Sequence, residues 1–163
     1  MLQAGVQVAA EDITMGIRQI LAPTDFSEFS KQAVQWAYEL AQTFGAKLAL
    51  LHVIEELPPY IGFIPPGGAA TVLEHLERQA RHDLAQPLAK AEDVKVEVIC
   101  QAVVGTPYHK ILEVAAAEKV DLIVMATHGR TGLSHLMTGS VAERVVRTAP
   151  CPVLTIRPTA AAA

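Results

Sequence analysis

Cysteine is nearly missing from this chain. Cys100 and Cys151 are the only two in 163 residues. They lie far apart without partners at metal-ligand spacing, a pattern that suits a reducing compartment rather than a disulfide scaffold. Both abut β-like apolar runs and read as buried structural thiols, not nucleophiles. A basic excess is also lacking. The 13 Lys and Arg are outnumbered by 17 Asp and Glu for a net charge of −4, and the scattered cations draw no electrostatic footprint for nucleic acid. The longest apolar runs, such as Leu48 to Leu51 and Leu122 to Ala126, fall far short of the roughly 20 residues of a membrane-spanning helix. The opening segment MLQAGVQVAAEDITMG has no basic n-region and only a brief apolar patch, so no secretory signal is read there and the expected location is the cytoplasm.

Familiar catalytic signatures are absent as well. There is no G-x-x-x-x-G-K-[ST], no G-x-G-x-x-G and no G-x-S-x-G, which removes the usual ATPase, dinucleotide and hydrolase machinery. His52, His75, His82, His109 and His135 form no H-x3-H pair with a third ligand, which argues against a metalloenzyme.

What the sequence does contain is alternation. With 51% hydrophobic residues the chain has material for one substantial core, read as a single domain over 16–158 with poorly ordered ends at 1–15 and 159–163. Ile17 to Ala22 is strand-like and stops at Pro23, and a helix follows TDFS with Ala33, Trp36, Ala37, Leu40, Ala41 and Phe44 on its inner stripe and Gly45 as its stop. Ala46 to Ile54 is a near-continuous apolar run, as expected of a strand covered on both faces. After the proline-rich loop EELPPYIGFIPPGG, a helix carries Leu73, Leu76, Ala80, Leu84 and Leu88 on one face, with Pro87 expected to kink it or end it early. Val94 to Cys100 alternates with period two, the mark of a half-exposed edge strand. Thr106 and Pro107 then open a third helix as N-cap and first residue, with Ile111, Val114, Ala115 and Leu112 inward. Strands alternating with helices predict an α/β fold, a doubly wound parallel sheet with helices on both faces. Ligands in such sheets bind beyond the carboxyl ends of the strands, where strand order reverses.

The most informative stretch is DLIVMATHGRTGLSHLMTGSVAERVVRTAPCPVLTIRP, from Asp121 to Pro158. It reads as strand, glycine-punctuated loop, capped helix and final strand, and a loop ending at a helix N-terminus is suited to hold a phosphate. In the helix, Ala142, Val145, Val146 and Ala149 would face inward, leaving Glu143, Arg144 and Arg147 on the polar face. The segment resembles the universal stress protein family, whose nucleotide-binding branch carries G-x2-G-x9-G-[ST]. Here the match runs Ala126, Thr127, His128, Gly129, then nine residues to Thr138 and Gly139-Ser140. Ala126 replaces the first glycine, and its methyl either crowds a ligand or sits beside it, according to the backbone angles there.

The resemblance covers about 140 residues and implies a five-stranded parallel sheet in the order 3-2-1-4-5. That order would put Cys100 and Cys151 on opposite edges, about four strand spacings of ~4.8 Å apart, too far for a disulfide. It further implies ATP, or AMP or ADP, with Mg²⁺ arriving alongside the nucleotide, and a homodimer through the last strand, Pro152 to Arg157. Asp25 would contact the adenosine, with Pro23 and Thr24 nearby and the main chain of Val53 at the adenine. Met125 and Ala126 would end the fourth strand there, His128 would donate to a phosphate or point to solvent, and Gly129, Arg130, Gly139, Ser140 and Val141 would cradle phosphate. Blander roles stand beside these. Asp25 with Glu28, or Ser27, reads equally as an ordinary helix cap. Ser140 and Glu143 form a capping box compatible with a phosphate contact, and Arg130, Arg144 and Arg147 also read as surface charges.

Three functions follow from this reading. The first is a regulatory ATP-binding dimer, at most a slow ATPase, since no residue is named as a base for attacking water. The second is a dimeric interaction module of the same family that binds no nucleotide, which Ala126 favours. An adenylating or sulfur-handling enzyme is disfavoured, because TDFSEFS cannot wrap a pyrophosphate as closely as glycines can.

Overall fold

The computed structural model describes residues 16–55, 68–89, 96–127 and 140–157. Along them run β1 (Gln19–Pro23), α1 (Glu28–Phe44), β2 (Lys47–Ile54), α2 (Gly68–Ala89), β3 (Val98–Val104), α3 (Pro107–Ala117), β4 (Leu122–Ala126), α4 (Ser140–Thr148) and β5 (Val153–Ile156). The strands form one parallel five-stranded sheet in the order β3-β2-β1-β4-β5. This is the expected order.

The central strands are apolar along their buried inner stretches, Ile20–Pro23, Leu48–Leu51 and Ile123–Met125, because both of their faces are covered. Ile20, Ala22, Leu48, Leu50 and Val124 pack with Ala37 and Ala41 of α1 and Leu84 of α2. Their neighbours Leu21, Ala49, Leu51, Ile123 and Met125 turn the other way, onto Ile111 and Ala115 of α3 and Ala142 and Val145 of α4. Consecutive strand residues point to opposite sides, so one apolar run serves two cores. Each wholly buried Leu, Ile or Val there contributes roughly 1.5–3 kcal/mol.

Several expectations need correction. The inner stripe of α1 is Ser30, Ala33, Ala37 and Ala41, small side chains that let the helix lie close on the sheet. Trp36 and Phe44, expected inside, sit on its flank and are about half exposed, as is Val146 on α4. The predicted edge strand Val94 to Cys100 is at the edge but extends further: β3 is Val98–Val104, paired with β2 from Leu48↔Val98 to Ile54↔Val104, while 94–95 lie outside the described residues. Alternation of side chains measures one-sided burial, whereas the strand's extent is set by the partner offering hydrogen bonds, and β2 offers them as far as Ile54. Helix α2 opens at Gly68, inside the predicted loop, and continues two residues past Pro87. A proline this close to the helix end removes a single intrahelical bond. The loop at 56–67 and the chain ends at 1–15 and 158–163 lie outside the described residues, as do the side chains of Pro87 and Leu88.

Both cysteines are free and only partly buried, on or beside opposite edge strands. Burial raises the Cys100 thiol above its ordinary value. It does the same to Cys151, reinforced by the negative charge of Asp121 and partly offset by a backbone hydrogen bond from Ile123.

Candidate functional site

Chain connectivity moves outward from β1 through β2 to β3, then returns to the other side of β1 for β4. The helices that follow β1 and β4 therefore pack in different cores, α1 in one and α4 in the other, and a crevice opens at the carboxyl ends of these strands. In this structure it is a cleft of about 730 Å³. Pro23, Thr24, Asp25, Val53, Met125, Ala126 and Val141, predicted from widely separated stretches of sequence, all line it. His128, Gly129, Arg130 and Gly139 lie outside the described residues, as does the side chain of Ser140.

The β1–α1 turn is held from several directions. Ser27, not Asp25, is the N-cap of α1, its hydroxyl accepting from the Ser30 N–H at 3.2 Å. Asp25 Oδ1 in turn accepts from the Ser27 N–H at 3.0 Å and the Ser27 hydroxyl at 2.6 Å. The sequence left both capping roles open; they are nested, with the aspartate orienting the residue that caps. Thr24 Oγ1 accepts from the Phe26 N–H at 3.1 Å, and the Thr24 N–H donates to the Leu51 carbonyl at 2.8 Å. Phe26 adopts a left-handed φ of 64°, a conformation that costs a bulky residue on the order of 1–3 kcal/mol. Its ring packs on His52, with centroids 4.4 Å apart, and His52 Nδ1 meets the Thr24 carbonyl at 2.8 Å. Backbone strain retained under this many contacts fixes the turn that presents Asp25.

The opposite wall comes from β4, α3, α4 and Thr106, just past the end of β3. Ala126 pairs with Ile156 in the β4–β5 ladder, and its φ is not positive, since Phe26 and Lys119 are the non-glycine residues that have that sign. The backbone angle on which this position turns is thus ordinary, and the methyl sits on the cleft wall without strain. Gly105 ends β3 at a φ of 147°, and its N–H continues the ladder to the Ile54 carbonyl at 2.9 Å. Thr106 follows as N-cap, without a side-chain hydrogen bond, and Pro107 opens α3. This delivers Tyr108 to the cleft, where Arg144 of α4 stacks over its ring at 4.7 Å.

Tyr108 was missed from sequence because ending β3 at Cys100 put its segment away from the carboxyl edge. Strand-end logic applied to Gly105-Thr106-Pro107 was the available signal. Gln79 and Asp83 of α2, hydrogen-bonded at 2.9 Å, also line the cleft and were not singled out. Arg147 stays a surface charge paired with Glu143 at 3.3 Å.

The walls combine apolar surface (Val53, Leu76, Ala80, Ile111, Met125) with three carboxylates (Asp25, Glu55, Asp83) and Arg144. Such a cleft can hold a flat apolar body and hydrogen-bond its polar edges. A sequence profile described as the universal stress protein family matches residues 16–157. The chain belongs to that family. Universal stress protein MJ0531 of Methanocaldococcus jannaschii is 35% identical over 140 residues, which cover 86% of this chain and 82% of that protein. The solved structure of MJ0577, from the same organism, is similar at a TM-score of 0.75 and 31% identity, over 90% of this universal stress protein and 99% of that chain. A universal stress protein solved in complex with cAMP is similar at a TM-score of 0.60 and 27% identity, over 87% and 98% of the two chains.

Proposed function

We propose that this universal stress protein binds an adenine nucleotide, ATP or its relatives ADP and AMP, in the cleft at the carboxyl ends of β1, β2 and β4. Occupancy then acts as a regulatory signal in a cytoplasmic dimer rather than feeding rapid turnover. The observation that carries this reading is the gathering of Pro23, Thr24, Asp25, Val53, Met125, Ala126 and Val141 around one cleft. The cAMP complex of a relative adds support.

The residues present fit such a ligand. A volume of about 730 Å³ falls within the ~300–1,000 Å³ typical of cofactor pockets. The carboxylate of Asp25, oriented by two bonds from Ser27, is an acceptor suited to ribose hydroxyls. Val53 would offer its main chain to the base, while the α4 N-terminus would favour phosphate. Mg²⁺, a hard cation, would be held chiefly by the phosphates themselves. Regulation is preferred to turnover because His52, the histidine described in the cleft lining, is tied through Nδ1 to the Thr24 carbonyl. Ala126, the residue that favoured a module without nucleotide, sits in ordinary strand geometry, which weakens that alternative.

The direct test is to purify the protein, denature it, identify any released nucleotide, and titrate ATP calorimetrically. Bound or titratable adenine nucleotide is expected; neither at high ATP concentration would end the proposal. The dimer is proposed through Pro152 to Arg157, where edge strand β5 exposes Leu154 to 38% and an exposed apolar edge invites pairing. Sedimentation velocity should give a dimer for wild type and a shift toward monomer for Leu154→Lys. A wild-type monomer would remove this part.

A further inference from the structure

Charge in the cleft is divided. Asp25, Glu55 and Asp83 supply carboxylates, and Arg144 is the one lysine or arginine among the described lining residues. Its guanidinium carbon lies 4.7 Å from the centroid of the Tyr108 ring. The adjacent carboxylate, Glu143, is engaged by Arg147 at 3.3 Å, so it does not neutralise Arg144. Tyr108 is itself anchored in the first turn of α3, directly behind Pro107, with its ring against His109 at 4.0 Å.

This arrangement has a specific chemical use. A guanidinium offers a planar fork of donors matched to phosphate oxygens. Stacking on an aromatic face leaves that fork's edge available for hydrogen bonding while limiting the rotamers the long side chain would otherwise lose on binding. Carboxylates at other points of the cleft repel phosphate and favour the neutral, hydrogen-bonding part of a nucleoside. We propose that Arg144, held against the ring of Tyr108, contacts the phosphate chain and sets the cleft's preference for ATP over adenosine. The proposal rests on the nucleotide reading above and adds the residue that reads phosphate charge, with Tyr108 as its positioning residue.

Titrations of ATP and adenosine against wild type, Arg144→Gln, Tyr108→Leu and Tyr108→Phe test it, with circular dichroism and melting temperature reporting folding. Arg144→Gln should weaken ATP about tenfold or more and leave adenosine within about twofold, the size of effect a charge-assisted hydrogen bond carries when only one ligand makes it. Tyr108→Leu should weaken ATP several-fold in the same selective way, because the guanidinium loses its platform. Tyr108→Phe, which keeps the ring, should recover ATP affinity. Unchanged ATP affinity in Arg144→Gln, or an equal loss for adenosine, overturns the proposal while leaving nucleotide binding intact. Failure of wild type to bind either ligand overturns the nucleotide reading and this proposal with it.

Discussion

The two ends of one sheet are built for opposite purposes. At its amino end the polar groups satisfy each other. Asp121 Oδ2 accepts from the Arg18 and Gln19 N–H groups at 2.8 and 2.9 Å, the Asp121 N–H returns to the Gln19 carbonyl at 2.9 Å, and Lys47 pairs with Glu97 at 2.9 Å. Glu118 takes the Gln19 amide at 2.9 Å. The carboxyl end instead lines a cleft of about 730 Å³, with three carboxylates, an arginine and a strained turn on its walls. The same strands and the same two cores support both. What differs is where those bonds lie, fastening the starts of strands at one end and shaping the wall of a cleft at the other, and substitutions at the two ends should therefore separate stability from binding.

The largest effect on stability is expected at the closed end. Asp121→Ala removes both acceptor bonds that fasten the start of β1, and should cost about 2–3 kcal/mol in chemical denaturation with nucleotide affinity unchanged. A matching loss of affinity would show that the ends are not independent. Next comes Gly105→Ala at the open end. A side chain there is strained at a φ of 147° and would meet Lys110 Cε at 2.9 Å. About 1–2 kcal/mol of stability should be lost, and, because Tyr108 follows three residues on, ATP affinity should fall as well. A change in stability alone would disconnect this turn from the cleft.

Ala126→Gly restores the family glycine and sharpens the comparison further. With Ala126 in ordinary strand geometry, the substitution should lower stability by about 0.5–1 kcal/mol and change ATP affinity by less than about threefold. A gain of tenfold or more would mean that the methyl crowds the ligand. The smallest expected effect is on the cysteines. Burial raises both thiols, so less thiolate is present near neutral pH than in a free cysteine, and alkylation should be slow until the solution is well alkaline. Asp121→Asn removes the negative charge that helps raise Cys151. It should shift the alkylation profile of Cys151 to lower pH and leave that of Cys100 in place; equal profiles before and after would remove Asp121 from this role.

How much of this was legible depends on what each residue reports. Strands β1, β2 and β4 were readable because burial on both faces concentrates apolar residues into short runs, and β4 falls at the predicted Leu122–Ala126. Strand β3 was ended too early because Gln101 to Val104 belong to it through hydrogen bonding with β2, which side-chain periodicity does not encode. Trp36 and Phe44 fit a helical stripe by spacing, yet small side chains won the inner positions of α1 because they allow closer packing on the sheet. Of the site, the strand-end residues Asp25, Val53 and Met125 were reachable from topology and family pattern. The stack of Arg144 on Tyr108 was not, because it joins two helices whose relative placement is a tertiary fact.

The central claim, that the carboxyl end holds nucleotide while the amino end holds the fold, is tested most directly by calorimetric titration of ATP into Asp25→Ala and Asp121→Ala beside wild type. The account predicts affinity at least about tenfold weaker for Asp25→Ala, the worth of a charged hydrogen bond, and wild-type affinity for folded Asp121→Ala. Equal affinity for Asp25→Ala and wild type would contradict it.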